Sequence, residues 1–385
     1  MRWHNRFIFF GIAIGTLIYF APIYVDWKNN TVRSSHPVKI DAKNSLHQSL
    51  TIVDLHADSL LWSRDIARRN LYGHVDLPRL REGNIAIQVF SAVTKSPSNL
   101  NVHRNSAETD NITLLAVANR WPKNTWRNLL QRALYQSELL HKLAEDQSNH
   151  FRIIRNRADL DHFLKIRQHD PSHVAGILSL EGAHALEGNL RHVKTLYDAG
   201  YRIVGLTHFF DNDLGGSAHG IEKGGLTEFG KQVIDQMRAL SMTIDLAHAS
   251  PELIRDVLDY SKHPVLVSHT GVNSICRNSL RNLSDSQIQR VANSGGIIGV
   301  GFWPGATCSQ DIDGIINTIL EIRKIVGVEH VALGSDFDGY VQTPIDAGGV
   351  SAITLGLLEA GLSEQEVAQV MGLNAVEFLK RALPK

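Results

Sequence analysis

The chain has almost no cysteine: two in 385 residues, Cys276 and Cys308. So small a number leaves two readings, one disulfide in an oxidising compartment or two inert buried thiols in the cytosol, and the protein's location decides between them. Net charge is also absent, with 39 basic residues set against 39 acidic ones. Nothing in that balance suggests a nucleic-acid or polyanion partner, so local sites must carry the function. There is no internal sequence repeat and no low-complexity tract. Long uncharged apolar runs are missing with one exception, Phe7 to Val25, whose length matches a helix crossing a hydrocarbon core of about 30 Å.

Arg2 and Arg6 precede that run, which favours a cytoplasmic amino end and a translocated body, although Lys28, Arg33, Lys39 and Lys43 beyond it weaken the bias. The expectation is an uncleaved anchor over residues 1–25, with the catalytic part periplasmic or extracellular. A cleaved signal peptide and a secreted protein form the rival reading, against which stand the run's length and the lack of a small-x-small cleavage site. Residues 26–49 are polar, carry Asn-Asn, Ser-Ser and His-Pro turn signals, and read as a linker. The folded body is expected over 50–385, with 43% hydrophobic and 20% charged residues in the whole chain, as in a globular protein.

What the chain has in excess is histidine, 19 residues, several at the ends of strand-like runs. Six apolar runs finish in a side chain that can hold a metal or move a proton. Thr51 to Leu55 precedes His56-Ala-Asp58, Ala175 to Leu180 precedes Glu181, and Ile203 to Thr207 precedes His208. Met242 to Ala247 precedes His248, Val265 to Ser268 precedes His269, and Val331 to Ser335 precedes Asp336. Ile85 to Val93 and Gly296 to Phe302 bring the strands to eight. Most are continuous apolar runs, as parallel strands covered on both faces require. Helical segments at Leu190 to Ala199, Thr227 to Leu240, Pro251 to Tyr260, Ser284 to Asn293 and Ile312 to Val326 separate the later ones. The alternation predicts an α/β fold, a (β/α)8 TIM barrel, because six functional strand ends must converge and a closed parallel ring brings them to one face. An interval at about 94–173, with helical stretches around Asn111 to Arg120 and Asn124 to Gln147, reads as a helical excursion forming a wall or lid. Ser363 to Arg381 closes the chain as a helical region, with Ser363 and Glu366 as a capping box.

His56 and Asp58 stand two apart, so in an extended strand end they face the same way and make a chelating pair. Consecutive barrel strands bring His248 and His269 together, a pair suited to a divalent transition metal. Glu181 could bridge the two sets, making five donors and a binuclear site. Each has an ordinary alternative: a surface histidine at 56, a helix cap at Asp58, a buried salt-bridge partner at Glu181.

The segments Asp54-Leu-His-Ala-Asp58, His74-Val-Asp-Leu-Pro-Arg-Leu-Arg-Glu-Gly83, Leu180-Glu-Gly-Ala-His184, Leu206-Thr-His208, Gly225-Leu-Thr-Glu-Phe-Gly230, Asp245-Leu-Ala-His248, Ser268-His269 and Gly334-Ser-Asp-Phe-Asp-Gly339 resemble the successive signatures of the membrane (renal-type) dipeptidases, peptidase family M19. The resemblance runs in order from about Leu50 to the C-terminus. It implies a barrel of the metal-dependent hydrolase type that hydrolyses dipeptides with two Zn2+ per chain. His56 and Asp58 would bind one zinc, His248 and His269 the other, and Glu181 would bridge them. His208 would sit beside the substrate and stabilise the oxyanion, Asp336 would handle protons, and Arg281 would grip the substrate's terminal carboxylate. Cys276 and Cys308 resemble a disulfide pair of animal members. Asp338 reads as structural. The chain departs from the family in lacking a hydrophobic tail over Glu377 to Lys385, in carrying His219 within the glycine-rich loop Asp211 to Gly224, and in lacking an arginine after Gly372-Leu-Asn374.

In this reading two zinc ions share a water and lower its pKa towards neutrality, giving a bridging hydroxide that attacks the peptide carbonyl. Asp336 passes the proton to the leaving amine, or instead orients a ligand histidine. A clamp on both termini of the substrate explains why it would be so small, if Arg281 is not merely a solvated loop cation. Partners are a small dipeptide and the membrane, through the N-terminal helix; no nucleic acid is expected, and a homodimer is left open. Two other functions remain, a binuclear amidohydrolase acting on another small amide or lactam and a membrane-tethered binding protein without turnover. The intact donor set stands against the last.

Overall fold

The apolar runs become strands that are buried along their whole length, so they show no polar alternation. The computed structural model describes residues 20–277 and 279–385. Within them lie β1 (Ile52–Ala57), β2 (Ile85–Val93), β3 (Val174–Glu181) and β4 (Tyr201–Gly205). The series continues with β5 (Thr243–Asp245), β6 (Leu266–Thr270), β7 (Ile297–Val300) and β8 (Val331–Leu333). Each strand pairs in parallel with the next, and β8 returns to β1 with Leu333 opposite Asp54, closing the eight-stranded barrel.

The helices begin where side chains can satisfy their first N–H groups. Ser250 accepts from Leu253 N ahead of Pro251–Tyr260, which turns Leu253, Ile254 and Val257 into the core. Ser284 with Gln287 and Ser363 with Glu366 form capping boxes, the second as the sequence suggests. The chain's last helix, Asn374–Ala382, docks closely. A Cβ at Gly372 would lie 1.9 Å from the Thr51 carbonyl oxygen, and Asn374 Nδ2 donates to Val328 O at 2.7 Å and Val331 O at 2.9 Å. These contacts explain the residue choice at both positions.

The excursion between β2 and β3 holds the two expected helices as Asn111–Ala118 and Leu129–Asp146. It also holds a strand, Phe151–Ile153, and a helix, Arg157–His169, that the sequence reading omits. The strand has only three residues, and the helix buries only Leu160, Phe163 and Arg167, so neither carries a long periodic signal. Arg132 knits the excursion together. Its Nε donates to Thr125 O at 2.7 Å, NH1 to Thr94 O and Asp110 Oδ2 at 2.6 Å, and NH2 to Thr113 Oγ1 and Trp126 O at 2.7 Å. All five N–H groups of this fully buried guanidinium are thereby used.

The apolar run Phe7 to Val25 falls outside the described residues up to position 19; among the described residues no helix is long and apolar enough to cross a membrane. The stretch 26–49, a linker by composition, lies along the barrel. Thr31 and Val32 pair in parallel with Gln342 and Thr343, Ser34 Oγ donates to Asp311 Oδ1 at 2.8 Å, and His47 is buried against Thr354 Oγ1 at 2.8 Å. Its composition gives no hint of this, because the contacts are polar and their partners lie some 270 to 310 residues away.

Cys276 and Cys308 are bonded across a separation of 32 residues. Replacing both with Ser is expected to lower stability by about 2–4 kcal/mol, because the unfolded chain gains the freedom of that loop. Denaturant titration of the oxidised protein and the double variant checks this.

Candidate metal centre

Period-two geometry gives Asp54 and His56 one face of β1. Asp54 bolts that strand to its neighbours: Oδ1 accepts from Ser335 N at 2.8 Å, and Oδ2 from Ser335 Oγ at 2.7 Å and Gln88 Nε2 at 2.8 Å. Ser268 Oγ lies 2.9 Å from His269 Nδ1 and 3.4 Å from His56 Nδ1. Asp245 Oδ1 accepts from Ser268 N and Ala247 N, both at 2.9 Å, tying β5 to β6 below their histidines. Engaging the Nδ1 atoms fixes the rings and leaves their Nε2 atoms for the centre, as partners behind metal-binding histidines do.

Those Nε2 atoms converge on one carboxylate. Glu181 Oε1 lies 3.0 Å from His248, 3.5 Å from His269 and 3.5 Å from His56, while Oε2 lies 3.4 Å from His208. His248 and His269 present their Nε2 atoms to each other at 3.1 Å, and Asp58 Oδ1 is 3.3 Å from His56 Nε2. Three sets of donors, His56/Glu181/His269, Glu181/His208/His248 and His56/Asp58/Asp336, each gather within 4.8 Å. The three overlapping sets include all five donors expected from sequence together with His208 and Asp336. The turn after β3 needs a glycine: Gly182 has φ +90°, and a Cβ there would meet His184 Cε1 at 2.4 Å and His208 Cβ at 3.0 Å. His248 and Asp336 themselves sit at φ 64° and 62°, left-handed conformations that persist only where the surroundings impose them.

Arg281 is buried beside the centre; its NH2 donates to His269 O at 2.6 Å and its guanidinium lies 5.5 Å from the Trp303 ring centroid. His219 comes to the rim. Its Nδ1 donates to Val102 O of the excursion at 2.9 Å, and its ring lies 4.8 Å from Phe209 and 5.3 Å from His248. The loop that carries it is anchored by Ser217 Oγ on His208 O and by Ala218 N on His248 O at 2.8 Å. Asp338 is a structural hub as read, accepting from Ser59 Oγ at 2.6 Å and His74 N at 2.7 Å and pairing with Arg64 at 2.8 Å. The orienting residues Asp54, Asp245 and Ser268 were not given a role from sequence, although all three share the motifs of the histidines they support.

Burial pushes the carboxyls of Asp58 and Glu181 well above their ordinary range, and the charges of Asp338 and Asp58 respectively add to it. The Asp336 carboxyl is pushed up to about 8, again chiefly by burial. Burial holds the imidazoles of His208, His248 and His269 well below their usual range, hence neutral with lone pairs available, and lowers Arg281 to about 10. His56 Nε2, Asp58 Oδ1 and Glu181 Oε2 have no hydrogen-bond partner among the described residues. Neutral imidazoles, crowded carboxyls and orphaned donor atoms are what divalent metal would satisfy, and an all-N/O set without thiolate suits a hydrolytic metal.

The family model for membrane dipeptidase (peptidase family M19) matches residues 40–383. A dipeptidase of Aspergillus oryzae, aclJ, is 28% identical over 361 residues, 88% of this chain and 80% of its own. A crystal structure of the dipeptidase AC, a metallo-peptidase of family M19, superposes with TM-score 0.70 at 22% identity, covering 88% of this chain and 100% of the other. A metallo-peptidase from Rhodobacter sphaeroides, solved with a phosphinate mimic of the dipeptide L-Ala-D-Ala, gives TM-score 0.66 at 24% identity, covering 86% and 99%.

The crowded carboxyls set a pH dependence for the metal-free protein. Their folded-state pKa values are raised, so the folded state keeps protons that the unfolded chain has already released, and stability falls as pH rises. Above pH 7 His208, His248 and His269, held neutral in the folded state, are mostly neutral in the unfolded chain too and offset little of this. Between pH 7 and about 8, where Asp336 titrates, metal-free protein is expected to lose roughly 1 kcal/mol per pH unit, and added zinc to abolish the slope. Chemical denaturation with and without zinc measures both.

Proposed function

Since the chain belongs to the membrane dipeptidase family, peptidase family M19, and is a metallo-dipeptidase, we propose that it hydrolyses dipeptides with two zinc ions outside the cytoplasm. The convergence of His56, His208, His248 and His269 on the two oxygens of Glu181 carries this reading. His56 and Asp58 are assigned to one zinc, His248 and His269 to the other, and Glu181 to both. When bound, the pair supplies an acidified water as nucleophile and Lewis acidity toward the peptide carbonyl. The remaining tasks fall to the chain's own side chains. Asp336 takes the proton of the attacking water and delivers it to the leaving amine, a role its closeness to His56 and Asp58 supports. His208 donates to the carbonyl oxygen as its negative charge grows.

Arg281 receives the terminal carboxylate. A buried guanidinium is costly without an anion, and a planar fork takes a carboxylate through two parallel bonds. A substrate held at that end and cut one residue away loses its C-terminal residue, and it is confined to a dipeptide when its free amine is held as well. The mimic of L-Ala-D-Ala in the Rhodobacter sphaeroides structure makes L,D as well as L,L dipeptides the substrates to try. Export is supported by the Cys276–Cys308 bond and by Arg2 and Arg6 ahead of the apolar run.

Metal counting on the full chain, with an assay on a panel of L,L and L,D dipeptides, tests the proposal; about two metals per chain and turnover of at least one series are expected. A fully loaded sample with one metal would refute the two-zinc form. Glu181→Gln should lose both metal and rate, and full activity in that variant would remove its bridging role. Arg281→Met is expected to reduce kcat/KM on dipeptides roughly 10- to 100-fold, the worth of a charge-assisted pair. The same change should scarcely affect the already poor turnover of dipeptide amides. An equal loss on both substrates would place the carboxylate elsewhere.

A further inference from the structure

The polar stretch ahead of the barrel reaches the metal centre through a buried chain of charges. Asp26 Oδ2 pairs with Arg64 Nε at 2.8 Å, and Arg64 NH2 pairs with Asp338 Oδ1 at 2.8 Å. All three residues are buried, Asp338 completely. Asn30 adds a second arm, with Nδ2 donating to Asp26 Oδ1 at 2.8 Å and Oδ1 accepting from Tyr340 N at 2.9 Å. The next two residues, Thr31 and Val32, pair with Gln342 and Thr343, and Arg33 N donates to Thr343 O at 2.7 Å.

What this strap grips is the frame of one donor set. Asp338 binds Ser59 Oγ, and its carbonyl accepts from Trp62 Nε1 at 2.7 Å, while Asp58 N donates to Phe337 O at 2.9 Å. The turn after β1, with Asp58, and the turn after β8, with Asp336, are therefore stitched together at Asp338. Asp336, Asp338 and Tyr340 hold φ values of 62°, 63° and 63°. A turn with three left-handed non-glycine residues keeps its shape only if its surroundings impose it. The guanidinium of Arg64 spans two carboxylates by different edges while NH1 donates to Val75 O at 3.2 Å; without Asp26 its Nε edge is unheld and only the Val75 and Asp338 contacts set its orientation. His248 and His269, by contrast, stand at the ends of β5 and β6 over Asp245 and Ser268, whose bonds run to Ala247, to each other and to the histidine rings and not to the strap.

We propose that Asp26 is a positioning residue for the His56/Asp58 half of the metal centre, acting through Arg64 and Asp338. The inference rests on the two-zinc reading. It is tested on the full chain by zinc titration with metal counting, in the wild type, Asp26→Asn, Asp26→Glu and Asn30→Ala. The wild type should bind about two zinc ions; Asp26→Asn should bind one of them roughly 10-fold more weakly and the other unchanged, the size of effect seen when an outer partner is lost. Asp26→Glu should restore most of the affinity, and Asn30→Ala should show a smaller, equally selective loss. Wild-type affinity for both ions in Asp26→Asn, or equal weakening of both, overturns the proposal. Should Asp26→Asn fail to fold, Asn30→Ala decides: a selective loss upholds the role and none overturns it. A wild type that binds a single zinc refutes the two-zinc reading instead, and unchanged affinity for that ion in the variants then overturns the strap's role as well.

Discussion

Three carboxyl groups, Asp58, Glu181 and Asp336, are buried within a few ångströms of four imidazoles. Everything around the mouth of the barrel follows from the cost of holding them there. Each charge taken from water must meet a partner, and the surrounding side chains do not suffice: burial raises all three carboxyls and keeps the imidazoles His208, His248 and His269 neutral. The missing positive charge is what a bound metal would supply. The fold makes this tolerable by bracing the strand ends that carry several of the donors, through Asp54 with Ser335, Asp245 with Ser268, and Arg64 with Asp338. Strand ends of a closed barrel suit this task because every donor rides on a hydrogen-bonded neighbour.

Much of this was legible in the sequence. The eight strands are visible because burial on both faces writes each as an apolar run, and the donors are visible because a histidine or carboxylate ending such a run conflicts with packing. The helix starts at Ser284 and Ser363 are equally plain, since capping is local. Long-range polar contacts were not legible. Nothing about Ser268 says that its hydroxyl lies between His56 and His269, and nothing about Asp26 says that its partner is Arg64. The three-residue strand Phe151–Ile153 and the polar helix Arg157–His169 were hidden for a different reason, too few apolar positions to form a period.

The same contrast explains the amino-terminal stretch. Its composition is that of a spacer, and composition reports how much apolar surface a segment can bury. Asp26, Asn30 and Ser34 dock through charge and hydrogen bonds instead, and those leave no mark on hydropathy. Residues 26–36 therefore belong mechanically to the barrel that follows them.

Arg132 gives the excursion a character that its helices alone would not. With all five N–H groups bonded inside the excursion, separating any part of that segment from the rest would strand a buried cation. The excursion is thus held together as one piece, and the free energy that joins its parts is committed during folding and not drawn from the substrate on arrival. A segment assembled in this way offers a ready-made surface, in contrast to induced fit, where a well-matched ligand assembles its own site.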